Sequence, residues 1–187
     1  SFIFLLSCMQ EFEQEDFSAL NKRVELLTNI NFSPASYELR LEQSVERLRN
    51  ILNGRPVECS VVLGSGLGSA SNEVKNQLII DTEEVLFPKS NVKGHAGQII
   101  FGTLGDKEVA VLKGRVHIYE GYSAAEVAFG VRALAILGSK GLLTTHAAGG
   151  INSEFNVGDL MFPTTFQAPD EVDPMYGFPK GLFQKEL

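Results

Sequence analysis

Cysteine is scarce in this 187-residue chain: only Cys8 and Cys59 occur, far apart and in no C-x-x-C spacing. That excludes a disulfide scaffold and points to a reduced, cytoplasmic setting. An excess of basic residues is lacking too. With 16 Lys and Arg against 23 Asp and Glu, the formal net charge is −7, which argues against general nucleic-acid binding, because that needs a basic face to displace counterions. The apolar run Phe2-Ile3-Phe4-Leu5-Leu6 is too short to span a bilayer and has neither the basic flank nor the cleavage site of a signal peptide. No membrane partner is expected. There is no His/Cys metal spacing and no G-x-S-x-G nucleophile elbow, so neither a metal site nor covalent serine catalysis is expected.

What is present is the composition of a globular α/β chain: 44% hydrophobic residues, 21% charged residues and 18 glycines. One domain is the natural division at this length, enough to bury a core. The chain begins at Ser1 rather than Met, as a processed or fragmentary chain would, and residues 1–32 read as an appended segment, a helix or a partner-binding arm.

Ser33-Pro34 opens a helix with a cap and a first-turn proline. Tyr37, Leu41, Val45, Leu48 and Leu52 then recur at helical spacing until Gly54 and Pro56 stop it. A buried strand ends at Leu63, and Ala70 to Gln77 is expected to be helical. Leu78-Ile79-Ile80 reads as a strand, and Phe87-Pro88 opens a loop. Gln98 to Leu104 and Lys107 to Leu112 form a hairpin around Gly105-Asp106. Ser123 and Glu126 form a capping box for a helix through Leu137, with Gly138 at its stop. Gly141 to Thr145 is a buried strand expected to run into a loop, His146-Ala147-Ala148-Gly149-Gly150. This order gives an α/β fold with a mixed central sheet flanked by helices.

The chemistry-bearing residues fall where predicted strands end, the usual place for a ligand in an open α/β sheet. Val61-Val62-Leu63 runs into Gly64-Ser65-Gly66-Leu67-Gly68, which is either an anion cradle completed by the N-terminus of the following helix or simply a turn. Arg115 offers a planar fork of donors to an anion, or a solvated surface pair. His117 adds a donor or is a structural histidine. Tyr119 offers a ring to cover a sugar or packs half-buried. Glu120 orients His117 or Arg115, or is solvated. His95 is flanked by small residues that leave room for a ligand, or it makes a turn. Ala147 to Gly150 present backbone N–H groups to an anion, or permit close packing.

Taken in order, these motifs resemble the trimeric, low-molecular-mass branch of the purine nucleoside phosphorylase family. The resemblance runs through Val62-Leu63-Gly64-Ser65-Gly66-Leu67-Gly68, Gly94-His95-Ala96-Gly97 and Gly114-Arg115-Val116-His117-Ile118-Tyr119-Glu120-Gly121-Tyr122. It continues in Thr145-His146-Ala147-Ala148-Gly149-Gly150-Ile151-Asn152 and Val157-Gly158-Asp159-Leu160-Met161. The resemblance implies a phosphorylase-like domain over 33–161, between an N-terminal extension at 1–32 and a divergent tail at 162–187. It implies a pentosyltransferase: reversible phosphorolysis of purine (deoxy)ribonucleosides to free base and (deoxy)ribose 1-phosphate, in nucleoside salvage. Inorganic phosphate would be the co-substrate, with no metal and no cofactor, and the chain would assemble as a homotrimer. By matched position, Ser65, His95, Arg115, His117 and the Ala147 backbone would bind phosphate. Tyr119 would contact the ribose, and His117 and Glu120 would serve catalysis. A departure is His146, where the family carries asparagine. After Met161 the resemblance stops, and with it the part of the family fold that holds the purine. A catalytically impaired homologue that binds phosphate or a partner subunit is the alternative.

Overall fold

The computed structural model describes residues 2–11, 34–90, 97–165 and Pro174. In chain order these form β1 (Phe2–Glu11), α1 (Pro34–Leu52), β2 (Cys59–Leu63), β3 (Lys75–Asp81), β4 (Gln98–Leu104), β5 (Lys107–Lys113), α2 (Ala124–Ile136), β6 (Gly141–Gly149) and β7 (Leu160–Met161). Short 3-10 turns cover Gly68–Glu73, Thr82–Val85 and Ile118–Glu120. The strands make one seven-stranded sheet in the order β3-β4-β5-β2-β6-β1-β7. It is mixed: β2 runs parallel to both β5 and β6, while β4 is antiparallel to β3 and β5.

Alternation along the strands builds two cores. Ile99, Phe101, Ala110 and Leu112 join the apolar stripes of both α-helices. Ile100, Val109 and Val111 join Leu63 and Val74 in a second cluster. In the first core the Phe129 ring meets Tyr37 and Phe87 edge-on, with centroids 5.2 and 5.5 Å apart. The Tyr37 hydroxyl donates to the Ala125 carbonyl at 2.9 Å and accepts from Arg132 at 2.9 Å, joining α1 to α2. The capping box of α2 is formed: Ser123 Oγ accepts from the Glu126 N–H, and Glu126 Oε2 accepts from the Ser123 N–H. Gly105, at φ +63, turns the β4–β5 hairpin.

Three expectations change. Ala70 to Gln77 is not a helix: a 3-10 turn ends at Glu73, and β3 begins at Lys75. Ser71 Oγ donates to the Gly68 carbonyl, and Gln77 Nε2 donates to the Ser71 and Val74 carbonyls. Side chains here take up carbonyls that an α-helical ladder would use, and Asn76 at φ +52 leaves helical space. The glycine loop is therefore followed by no α-helix dipole. Secondly, His146 to Gly149 lie in β6 rather than in a loop. Thirdly, Phe2–Glu11 is a strand, not a helix. The last two share one cause. Strand β2 pairs with β6 only as far as Thr144, and β1 lies antiparallel along the other edge, from Phe2 opposite Gly149 to Glu11 opposite Gly141. An edge strand carries unmet N–H and C=O groups, and a second strand satisfies them. Residues 12–33 lie outside the described residues.

Candidate active site

Three adjacent parallel strands set the level of the site. Leu63 pairs with Lys113, and Val62 pairs with Thr144. The ladders end there: Ser65 and Arg115 are each the second residue beyond the adjacent ends of β2 and β5, while β6 continues past this level to Gly149. The carboxyl end of the central strand thus lies between its two neighbours, where a ligand of an open α/β sheet binds.

The glycine loop is pinned to β6. The Gly64 N–H donates to Thr145 Oγ1 at 2.9 Å, and that hydroxyl donates to the Val62 carbonyl at 3.1 Å. A Cβ at Gly64 would collide with the Thr145 carbonyl oxygen and come within 2.7 Å of the His146 Cα, so this position takes only glycine. Ser65 and Gly66 are exposed, and Gly66 is at φ +83. Ser65 therefore stands on a loop that glycine lets run close under its neighbours.

Arg115 is half-buried, with Nη1 reaching the Leu63 carbonyl at 3.5 Å, one residue before the glycine loop. Burial pushes its pKa down from the ordinary guanidinium value, and the nearby Tyr119 opposes that shift. An arginine remains charged in proteins all the same, so a desolvated cation stands at the strand ends. Ile118–Glu120 is a short turn closed by its own capping box. The Glu120 carboxylate accepts from the His117 backbone N–H at 2.9 Å and contacts His117 Nδ1 at 3.1 Å. The Glu120 side chain is 5% exposed, so this carboxylate is held inside. Tyr119 is 73% exposed, and its ring stacks on His117 at 4.7 Å with an interplanar angle of 17°.

His146 is half-buried, with Nδ1 3.3 Å from the Ala147 carbonyl. It lines a cavity of about 390 Å3 together with Arg115 and Thr145. The apolar wall is Ala124, Val127, Ala128 and Val131 of α2, facing Val62 and Ile118. Ala147 sits in β6 opposite Phe4, so its backbone belongs to the sheet. His95 lies outside the described residues.

The structure therefore places Ser65 and Arg115 just beyond the adjacent ends of β2 and β5, and Ala147 in β6 on the other side of β2, with His117, Tyr119 and Glu120 on the turn that follows Arg115. Sequence reasoning missed the α2 wall, although the i, i+3, i+4, i+7 spacing of Ala124, Val127, Ala128 and Val131 is a helical-face signal. It also missed Ser90, whose hydroxyl donates to Glu120 Oε2 at 2.9 Å. A single loop serine carries no signal in a sequence. Among the described residues no group of three or more His, Cys, Asp or Glu is placed to hold a metal ion.

Residues 59–186 match the family described as the phosphorylase superfamily, so the match runs past Met161, where the sequence motifs stop, through most of the segment read as a divergent tail. Purine nucleoside phosphorylase 1 of Bacillus subtilis is 43% identical over 126 residues, covering 67% of this chain and 46% of that protein. The purine nucleoside phosphorylase of Rattus norvegicus is 41% identical over 121 residues, covering 64% of this chain and 42% of that protein. Among solved structures, the Schistosoma mansoni purine nucleoside phosphorylase in a complex with BCX-34 has a TM-score of 0.58 at 33% identity, covering 70% of this chain and 46% of that one. A purine nucleoside phosphorylase in complex with ribose 1-phosphate has a TM-score of 0.59 at 37% identity, covering 65% of this chain and 44% of that one. The chain spans about half the length, or less, of the curated relatives it matches.

Proposed function

The chain belongs to the phosphorylase superfamily, with purine nucleoside phosphorylases among its relatives, and on that premise we propose that it carries the phosphate-holding part of a site for reversible phosphorolysis of purine (deoxy)ribonucleosides. The observation that carries this reading is the register of β5, β2 and β6. Its pairs end at Leu63–Lys113 and Val62–Thr144, so the chain leaves adjacent strand ends at Ser65 and Arg115 beside β6, with the His117–Glu120 turn beginning two residues beyond Arg115.

In this reading inorganic phosphate is the co-substrate. Arg115 supplies the fixed positive charge, and Ser65, His117 and the part of the Ala147 backbone not taken up by β1 supply hydrogen bonds. His95 belongs to the same set. An anchored phosphate oxygen forms a bond to the anomeric carbon as the glycosidic bond breaks. The bonding pair leaves with the base, which takes up a proton. Positive charge develops on the sugar in between, and a phosphate held beneath it both stabilises that charge and captures it. Tyr119, stacked on His117, offers its exposed ring to the ribose. His117 and Glu120 orient the phosphate, and the apolar α2 wall excludes water beside Arg115.

The same reading assigns a cytoplasmic, homotrimeric protein that needs no metal or cofactor. Among the described residues no helix is long and apolar enough to cross a membrane. The test is release of free base from inosine and guanosine, with and without phosphate, beside a relative of full family length. Phosphate-dependent hypoxanthine release is the expected result. Its absence at high protein concentration, while the relative turns over, would leave a phosphate-binding homologue. Absence of phosphate binding as well would end the reading.

A further inference from the structure

Glu120 is a carboxylate with two oxygens engaged on different sides. Oε1 takes the His117 backbone N–H at 2.9 Å and faces His117 Nδ1 at 3.1 Å, while Oε2 accepts the Ser90 hydroxyl at 2.9 Å. With its side chain 5% exposed, it has little water to turn to, and a buried carboxylate is costly wherever a lone pair goes unmet. Ser90 is itself held in place, because the neighbouring Lys89 carbonyl accepts the Tyr122 hydroxyl at 2.6 Å. Two loops distant in sequence, 87–90 and 115–122, are thus joined at adjacent points, one of them through the Glu120 carboxylate.

We propose that Ser90 is a positioning residue, whose hydroxyl anchors Oε2 so that Oε1 keeps the hydrogen on His117 Nδ1 and Nε2 is the ring nitrogen presented to an anion. The geometry requires Nδ1 to be the donor, since a carboxylate oxygen can only accept. That holds for the neutral ring, whose Nε2 is then an acceptor, and for the imidazolium, whose second N–H is on Nε2; it is the imidazolium that can donate to an anion there. Removing the serine hydroxyl takes a donor from Oε2 and lets the carboxylate rotate to recover one. Oε1 is then drawn off Nδ1, and the ring loses the partner that decides its tautomer. The consequence for phosphate rests on the function proposed above, whereas the tautomer itself does not.

The imidazole nitrogens of the full chain report this directly by heteronuclear NMR. The sequence has three histidines, and His117→Gln assigns the relevant signals. Ser90→Ala should move the neutral His117 ring from the Nδ1–H form toward the Nε2–H form, and it should weaken inorganic phosphate binding by about threefold to tenfold, because the imidazolium that donates to phosphate from Nε2 loses its carboxylate partner on Nδ1. Ser90→Thr, which keeps the hydroxyl, should retain the wild-type signals and affinity. Wild-type His117 signals in Ser90→Ala, or a Ser90→Thr protein that shifts as Ser90→Ala does, would overturn the proposal. If the unsubstituted protein binds no phosphate, the functional reading falls, and the His117 signals still decide the role of Ser90.

Discussion

Thr145 Oγ1 accepts the Gly64 N–H at 2.9 Å and donates to the Val62 carbonyl at 3.1 Å, so one hydroxyl fastens the glycine loop to the strand that carries His146 and Ala147. The loop keeps its place because both backbone groups, at a level closed to water, have a partner; Thr145 is 4% exposed. Two strand ends are thereby set relative to each other by a side chain rather than by the β-ladder, which stops at Thr144.

Thr145→Val keeps the shape and removes the hydroxyl. It leaves a buried N–H and a buried carbonyl without their partner, and should cost about 1–3 kcal/mol of stability. Thr145→Ser, which restores the hydroxyl and loses only a methyl, should recover most of it. Chemical denaturation of the three proteins measures the difference.

Arg115→Ala removes the desolvated cation at the strand ends. In the unsubstituted protein, phosphate at about a hundred times its Kd should raise the Tm by about 5–10 °C. Arg115→Ala should abolish that rise while melting normally without phosphate. Arg115→Lys should restore only part of it, because an ammonium lacks the planar fork of donors. A phosphate-dependent melting series decides all three.

At the opposite end of β5 from Arg115, the Arg55 guanidinium donates to Glu108 Oε2 at 2.6 Å. That bond is the main cause holding the Glu108 carboxyl below its ordinary value, with the Thr103 hydroxyl adding to it. A carboxyl lowered on folding stabilises the fold above its unfolded pKa and loses that contribution as pH falls through the folded one. Stability of the unsubstituted protein should therefore fall through the acid range below about pH 4.5, the region of an unperturbed glutamate. Arg55→Gln should flatten this part of the profile, as denaturation midpoints measured across the acid range will show.

Strand β1 lies along one edge of β6, with pairs from Phe2 opposite Gly149 to Glu11 opposite Gly141 and a register shift between Ser7 and Gln10. Deleting residues 1–11 should expose that edge and favour edge-to-edge association. Light scattering after size-exclusion chromatography should show larger species for the deleted chain. A deletion that leaves the mass distribution unchanged would mean that β6 is protected in another way.

Local pattern carried much of the fold. The stripe from Tyr37 to Leu52, the Ser123–Glu126 box and the Gly105-Asp106 turn are each encoded within a few residues, and each forms where it was read. The same local reading failed at Ala70 to Gln77, where Ser71 and Gln77 side chains compete for backbone carbonyls and leave a short 3-10 turn instead of an α-helix. At Phe2–Glu11 it left a helix and a partner-binding arm open, because an apolar run has no preference between helix and strand until an open edge offers it hydrogen bonds.

The sequence by itself marked the candidate residues: the glycine loop with Ser65, Arg115 and the turn behind it, and His146 and Ala147. Only the tertiary structure decided how they meet. The register of three parallel strands brings the ends of β2 and β5 together beside β6, Thr145 ties the end of β2 to β6, and Ser90 reaches the Glu120 carboxylate across 30 positions of sequence. The physical reason is the same in each case. A hydrogen bond between residues far apart in the chain leaves no periodic mark on either of them, and its partner is known only when the sheet has brought the two together.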